Sequence, residues 1–128
     1  MFKFEKLAVW QLAIAFAERV YAVTSAFPPD ERYGLTSQLR RAAVSISSNI
    51  AEGSSRSSDQ DFARFIEIAY GSLMEVVSQI HLANRRQLVR DEDTQAVRAQ
   101  AERLAKMLSG LRAKLRPTTR NNPNLPGP

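Results

Sequence analysis

Residues 62–83 read FARFIEIAYGSLMEVVSQIHLA. Phe62, Ile66, Ala69, Leu73, Val76, Ile80 and Ala83 step alternately by four and by three. Side chains at that spacing share one helix face, so the stretch carries a continuous apolar seam of heptad type. No period-two alternation runs through it, which argues against a strand. The pattern predicts a helix over about 59–89, roughly 45 Å long. A seam of that length has to be buried against other helices.

The flanking sequence supplies those helices. Downstream, Val97, Ala101, Leu104, Leu108, Leu111 and Leu115 repeat the four–three step, predicting a helix over about 92–115 with Asp93 or Thr94 near its cap. Gly110 weakens it slightly. Upstream, Leu35, Leu39, Ala42, Ile46 and Ile50 predict a helix over about 35–52. Thr36 or Ser37 is its expected cap, and Gly53 its expected stop, through a left-handed conformation. Ser57 with Gln60, or Ser58 with Asp61, has capping-box spacing for the long helix that follows. The first helix is expected over about 5–26. It carries two stripes: Leu7, Trp10, Ile14, Ala17, Tyr21, and Val9, Ala13, Phe16, Val20, Val23, Phe27. Pro28 and Pro29 end it. Four amphipathic helices with short turns predict an all-α, antiparallel four-helix bundle over 1–116. Residues 117–128, PTTRNNPNLPGP, have almost nothing to bury and are expected to form a disordered Pro/Asn-rich tail.

At 128 residues the chain suits one domain with one core. Apolar residues make up 44% and charged residues 24%, ordinary globular usage. There is no cysteine, which excludes a disulfide framework and Cys-ligated zinc and fits a cytoplasmic protein. The start, MFKFEKLAVWQLAIAFA, has the outline of a signal peptide. Glu5 and Gln11 interrupt that outline, and the helical register runs on to Val20, Tyr21 and Phe27, so it is read as the first helix. No apolar run approaches the ~18 residues of a membrane span, and no membrane partner is expected.

The net charge is +5 and the pI about 10.1, which suits an anionic partner such as nucleic acid. The excess is segregated. Residues 103–128 hold Arg103, Lys106, Arg112, Lys114, Arg116 and Arg120 with no Asp or Glu; the rest of the chain holds twelve basic and thirteen acidic residues. Arg85, Arg86 and Arg90 gather at the end of the third helix. These groups are either a solvated face or a phosphate contact. No aromatic residue follows Tyr70, which favours backbone contact without base stacking.

The stretch RRAAVSISSNIAEGSSR, residues 40–56, admits two readings. Arg41, Ser45 and Asn49 share a helix face beside the apolar one, with Glu52 one turn on. Ser45 and Asn49 suit hydrogen bonds that fix the register of a neighbouring helix. Arg40, Arg41 and Arg56 alternatively contact phosphate or an acidic partner. Catalytic chemistry finds little support. The lone His81 has Ser78 three residues before it, so no Glu-x-x-His di-iron pair exists. Positions 74–76 are Met, Glu and Val, which removes the Arg-x4-6-His arrangement of helical ribonucleases. No nucleophile elbow, Walker A or Gly-x-Gly-x-x-Gly sequence occurs. Gly71, inside a helix, suggests close helix contact at Gly71–Ser72.

Several of these elements together resemble the bacterial 23S rRNA intervening-sequence proteins, an S23 ribosomal protein-like four-helix-bundle family. The matching positions are Trp10-Gln11, Phe27-Pro28, Glu31, Tyr33-Gly34-Leu35, Gln38, Arg41-Ala42, Ser45-Ile46, Asn49 to Gly53 (with Glu52), Ala69, Gly71, Ser72 and Glu75. The resemblance covers about residues 7–88; the fourth helix and tail match only in character. It implies no established enzymatic activity, and the lone histidine, the missing cysteines and the missing nucleotide motifs leave no cofactor or metal expected. Relatives include the accessory protein of diversity-generating retroelements, a basic barrel-shaped pentamer thought to bind nucleic acid and the reverse transcriptase. A ring-shaped homopentamer is therefore expected, with RNA or DNA as partner, or a reverse transcriptase in an interaction-scaffold role.

Overall fold

A computed structural model describes residues 1–116, so the tail expected over 117–128 lies outside the described residues. Four helices carry the fold: α1 (Ala8–Thr24), α2 (Leu35–Ser54), α3 (Asp59–Arg85) and α4 (Asp91–Leu115). Two short 3-10 turns, Lys3–Lys6 and Pro29–Glu31, precede α1 and α2. Each helix packs on its neighbour in sequence and α1 closes on α4, with no diagonal contact among the described residues. This is the expected four-helix arrangement, and no strand occurs among the described residues.

The apolar seams meet at the centre. Phe16, Leu39, Ile46, Ile50, Ile66, Leu73, Ile80, Leu104 and Leu108 are fully buried. The stripes predicted for α2 and α3 are buried at every position; that of α4 is buried through Leu108 and half-buried at Leu111 and Leu115. In α1 only one stripe is buried well. Leu7, Trp10 and Ile14 are half-buried and Tyr21 is 44% exposed. Thr24 turns inward instead, its hydroxyl donating to the Val20 carbonyl at 2.7 Å. Tyr21 faces outward and the Arg40 guanidinium lies over its ring, 4.5 Å from the centroid.

Helix ends depart from expectation for identifiable reasons. Residues 3–6 form a separate turn, and the Phe4 ring meets Trp10 edge-on at 4.9 Å, so α1 starts at Ala8. The start of α2 is capped by neither Thr36 nor Ser37. Its cap position is Gly34, and the Glu31 carboxylate accepts from the Leu35 N–H at 3.2 Å. Gly53 does not stop α2: it is helical, and among the described residues no glycine has a positive φ. A Cβ there would sit 2.7 Å from Phe65 Cβ and 2.9 Å from Phe62 Cδ1, so its role is close approach of α2 and α3. The last carbonyls of α2 are satisfied by the hydroxyls of Ser54 and Ser55, which donate to Ala51 and Glu52.

Ser58 caps α3 as its spacing predicts, accepting from the Asp61 N–H at 3.1 Å. α3 ends at Arg85, four residues early. Gln87 takes a left-handed φ of 64°, and its N–H donates to Asn84 while Leu88 N–H donates back to Ala83 at 2.9 Å. This is a Schellman turn built without glycine. The Asn84 side chain secures it by donating to the Val89 carbonyl and the Asp91 carboxylate. α4 accordingly begins at Asp91, which puts Asp93 and Thr94 inside its first turn rather than at the cap. Three acidic residues there, Asp91, Glu92 and Asp93, complement the helix dipole.

Candidate nucleic-acid interface

The basic residues separate by what holds them. Arg40 donates from Nε to the Thr24 hydroxyl at 2.9 Å besides covering Tyr21. Arg86 pairs with Glu31, joining the end of α3 to the turn before α2. That contact, with the Leu35 N–H, holds the Glu31 carboxyl below its usual range. Arg56 lies over the Phe65 ring at 4.6 Å, with Glu52 and Asp61 at 3.8 and 3.9 Å. Arg90 faces Asp93 at 3.4 Å and Glu92 at 3.9 Å. Arg112 stacks over Tyr70 and Arg116 approaches Glu67 at 3.7 Å. Arg41, Arg85, Arg103, Lys106 and Lys114 are exposed, and among the described residues none forms an ion pair.

The fold does not gather these groups into one patch. Arg85, Arg86 and Arg90 lie where α3 meets α4; Arg56, Arg112, Lys114 and Arg116 lie toward the opposite end. The 27 residues of α3 separate the two ends by about 40 Å. What α4 does provide is a face. Ala99, Arg103, Lys106, Gly110 and Ala113 follow the four–three step, and all are exposed. Lys114 adjoins them, and no carboxylate occurs in α4 after Glu102, which turns to Arg98 at 3.5 Å. From Arg103 to Lys114 this face is about 17 Å long, a length over which a duplex presents about ten phosphates.

Within residues 40–56, Ser45 and Asn49 form a hydrogen-bonded cluster that reaches α3 through Ser45. Ser45 and Ser72 share a hydrogen bond at 2.9 Å between α2 and α3. Asn49 Nδ2 donates back to the Ser45 carbonyl at 2.8 Å and to its hydroxyl at 3.0 Å. Glu52 is exposed and faces Arg56. A second rung, which spacing alone did not reveal, joins Gln79 Nε2 to Gln38 Oε1 at 3.3 Å. Between the rungs runs an open groove of ≈ 410 Å3, with Tyr33 on its rim and Arg41 and Glu75 along it. Tyr33 is 87% exposed, with the Arg32 guanidinium 5.5 Å from its ring. Gly34 leaves room for Glu31: a Cβ there would be 2.9 Å from Oε2. The expected close contact at Gly71 is not made. Nothing lies within 4 Å of the site of its Cβ, because it points outward while the adjoining Ser72 reaches α2.

His81 Nε2 lies 2.7 Å from Arg98 Nη1, joining α3 to α4. Among the described residues no three His, Cys, Asp or Glu side chains come together to hold a metal. No helix there is long and apolar enough to cross a membrane.

The motif residues Tyr33, Gln38, Arg41, Ser45, Ser72 and Glu75 thus line one groove of a four-helix bundle. The sequence model of the 23S rRNA-intervening sequence proteins matches residues 5–110. The chain belongs to that family. Among solved structures, the family fold recurs in a protein of unknown function from the S23 ribosomal protein family of Bacteroides thetaiotaomicron VPI-5482. It is 21% identical, with a TM-score of 0.73 over 81% of this chain and 97% of that one. At that identity the likeness shows the fold. No curated protein matches the chain. The family match extends through most of α4, beyond the resemblance that ended near residue 88.

Proposed function

We propose that this 23S rRNA-intervening sequence family member is a non-enzymatic, cytoplasmic nucleic-acid-binding protein that contacts RNA or DNA through its phosphates. One observation carries the reading: Arg103, Lys106 and Lys114 stand exposed on α4 beyond its last carboxylate, and none has an ion-pair partner among the described residues. Arg112 and Arg116 adjoin this face. Arg85 and Arg41 are secondary contacts; Arg40, Arg56, Arg86 and Arg90 serve structure through the partners described above. The chain works as a homo-oligomer, a pentamer as the family resemblance implies. A ring would repeat the α4 face, and multivalency would raise a weak single-site affinity. Replacing Arg103, Lys106 and Lys114 together with glutamine tests the site. Affinity should fall for all sequences alike, and the log–log salt slope should flatten by about two to three units. Unchanged affinity and slope would remove α4 from the interface.

A second reading, an interaction scaffold for a protein such as a reverse transcriptase, draws on a different observation. Val44, Ile68, Met74 and Leu82 lie 41–51% exposed on α2 and α3. A protein partner retained after nuclease treatment supports that reading; loss of every partner after nuclease removes it.

A further inference from the structure

The groove between α2 and α3 contains unmatched polar groups at one level. Gln38–Gln79 and Ser45–Ser72 bound it along the helices. Arg41 is three residues from Gln38 and four from Ser45; Glu75 is three from Ser72 and four from Gln79. Because the helices run antiparallel, Arg41 and Glu75 face each other midway between the rungs. Both line the groove, yet they do not come within the 4.0 Å of an ion pair, and among the described residues neither has another. Between them the floor drops to Ala42, which is buried.

We infer that this groove is a binding site for a small zwitterion of the free α-amino acid class. The carboxylate lies on the Arg41 guanidinium, whose paired N–H donors match its geometry. The ammonium group lies on the Glu75 carboxylate, donating to it. The amino acid side chain extends along the groove toward the Tyr33 ring. A volume of ≈ 410 Å3 accommodates a molecule of this size. The site uses none of the α4 residues and shares only Arg41 with the proposed phosphate contacts.

The test titrates the full-length 15N-labelled protein with each of the twenty L-amino acids up to about 10 mM, a range that captures millimolar affinities. The readout is the side-chain amide signals of Gln38 and Gln79. At least one amino acid should shift them saturably, and its N-acetyl and carboxamide derivatives should bind about tenfold more weakly or worse. Arg41→Gln should abolish the preference for the free carboxylate, and Glu75→Gln the preference for the free ammonium. Both positions are exposed, and unchanged circular dichroism would verify the fold of each variant. The inference is overturned if no amino acid shifts these signals, as when Arg41 closes onto Glu75 or a second copy covers the groove. It is equally overturned if the blocked derivatives bind as well as the parent.

Discussion

The same substitution at two glycines should have opposite effects. Gly53 of α2 is pressed against α3: an added methyl would lie 2.7 Å from Phe65 Cβ and 2.9 Å from Phe62 Cδ1. Phe65 Cβ is fixed to the α3 backbone, so the neighbour cannot swing aside; α2 and α3 must move apart by about 1 Å to reach ordinary contact. Overpacking of this kind costs about 1–3 kcal/mol, and parting the helices also strains the Ser45–Ser72 bond. Against that, alanine is better than glycine in a helix interior by about 1 kcal/mol. Gly53→Ala should therefore destabilise by up to about 2 kcal/mol net. Gly71 of α3 has nothing within 4 Å of its Cβ site, so only the propensity gain remains and Gly71→Ala should stabilise by about 1 kcal/mol. Urea unfolding followed by circular dichroism measures both, with midpoints moving in opposite directions and slopes unchanged. Equal or greater stability in Gly53→Ala would refute close approach as the reason for that glycine. Loss of stability in Gly71→Ala would show that something outside the protomer approaches it.

Three further outcomes follow from the helix ends and the rungs. Ser45→Ala and Ser72→Ala should each cost about 1–2 kcal/mol, and their double-mutant cycle should show coupling of about 1 kcal/mol; additive losses would deny the shared bond. Gln87→Gly should stabilise by about 1 kcal/mol by relieving the left-handed φ of 64°, and an unchanged unfolding midpoint would contradict that geometry. Arg86 and the Leu35 N–H lower the Glu31 pKa from its ordinary 4.5. The folded value thus lies below the unfolded one, so the stabilisation is fully present above about pH 4.5 and is lost as pH falls through the folded value. In stability measured against pH, Glu31→Gln should flatten that acid limb; an identical acid limb in the variant would refute the latch.

The fold was legible because apolar spacing is a property of each helix alone. Phe62 to Ala83 and Leu35 to Ile50 needed only the 3.6-residue period to reveal their buried faces. What spacing could not show was contact between helices. Gly53 and Gly71 look alike in sequence, yet one is pressed against Phe65 and the other is open, because they lie on opposite sides of their helices relative to the α2–α3 contact. The cap of α2 came from a carboxylate four residues upstream, held by Arg86 from another helix, so no local cap signal reported it. The turn at Gln87 lacks the glycine that usually marks it. For the basic residues, charge was readable from the chain but occupancy was not. Arg40, Arg56 and Arg86 resemble Arg103 until Tyr21, Phe65 and Glu31 are seen beside them.

The central claim is that exposed basic groups on α4 bind nucleic acid through phosphates. Its most direct test is fluorescence anisotropy of the nuclease-treated wild-type protein with structured RNA, duplex DNA and single strands across a salt series. The expected result is sub-micromolar binding near 150 mM salt, with a log–log slope of several units at about 0.9 per phosphate neutralised on duplex DNA. No binding even at low salt would contradict the claim and leave the α4 face as solvated surface.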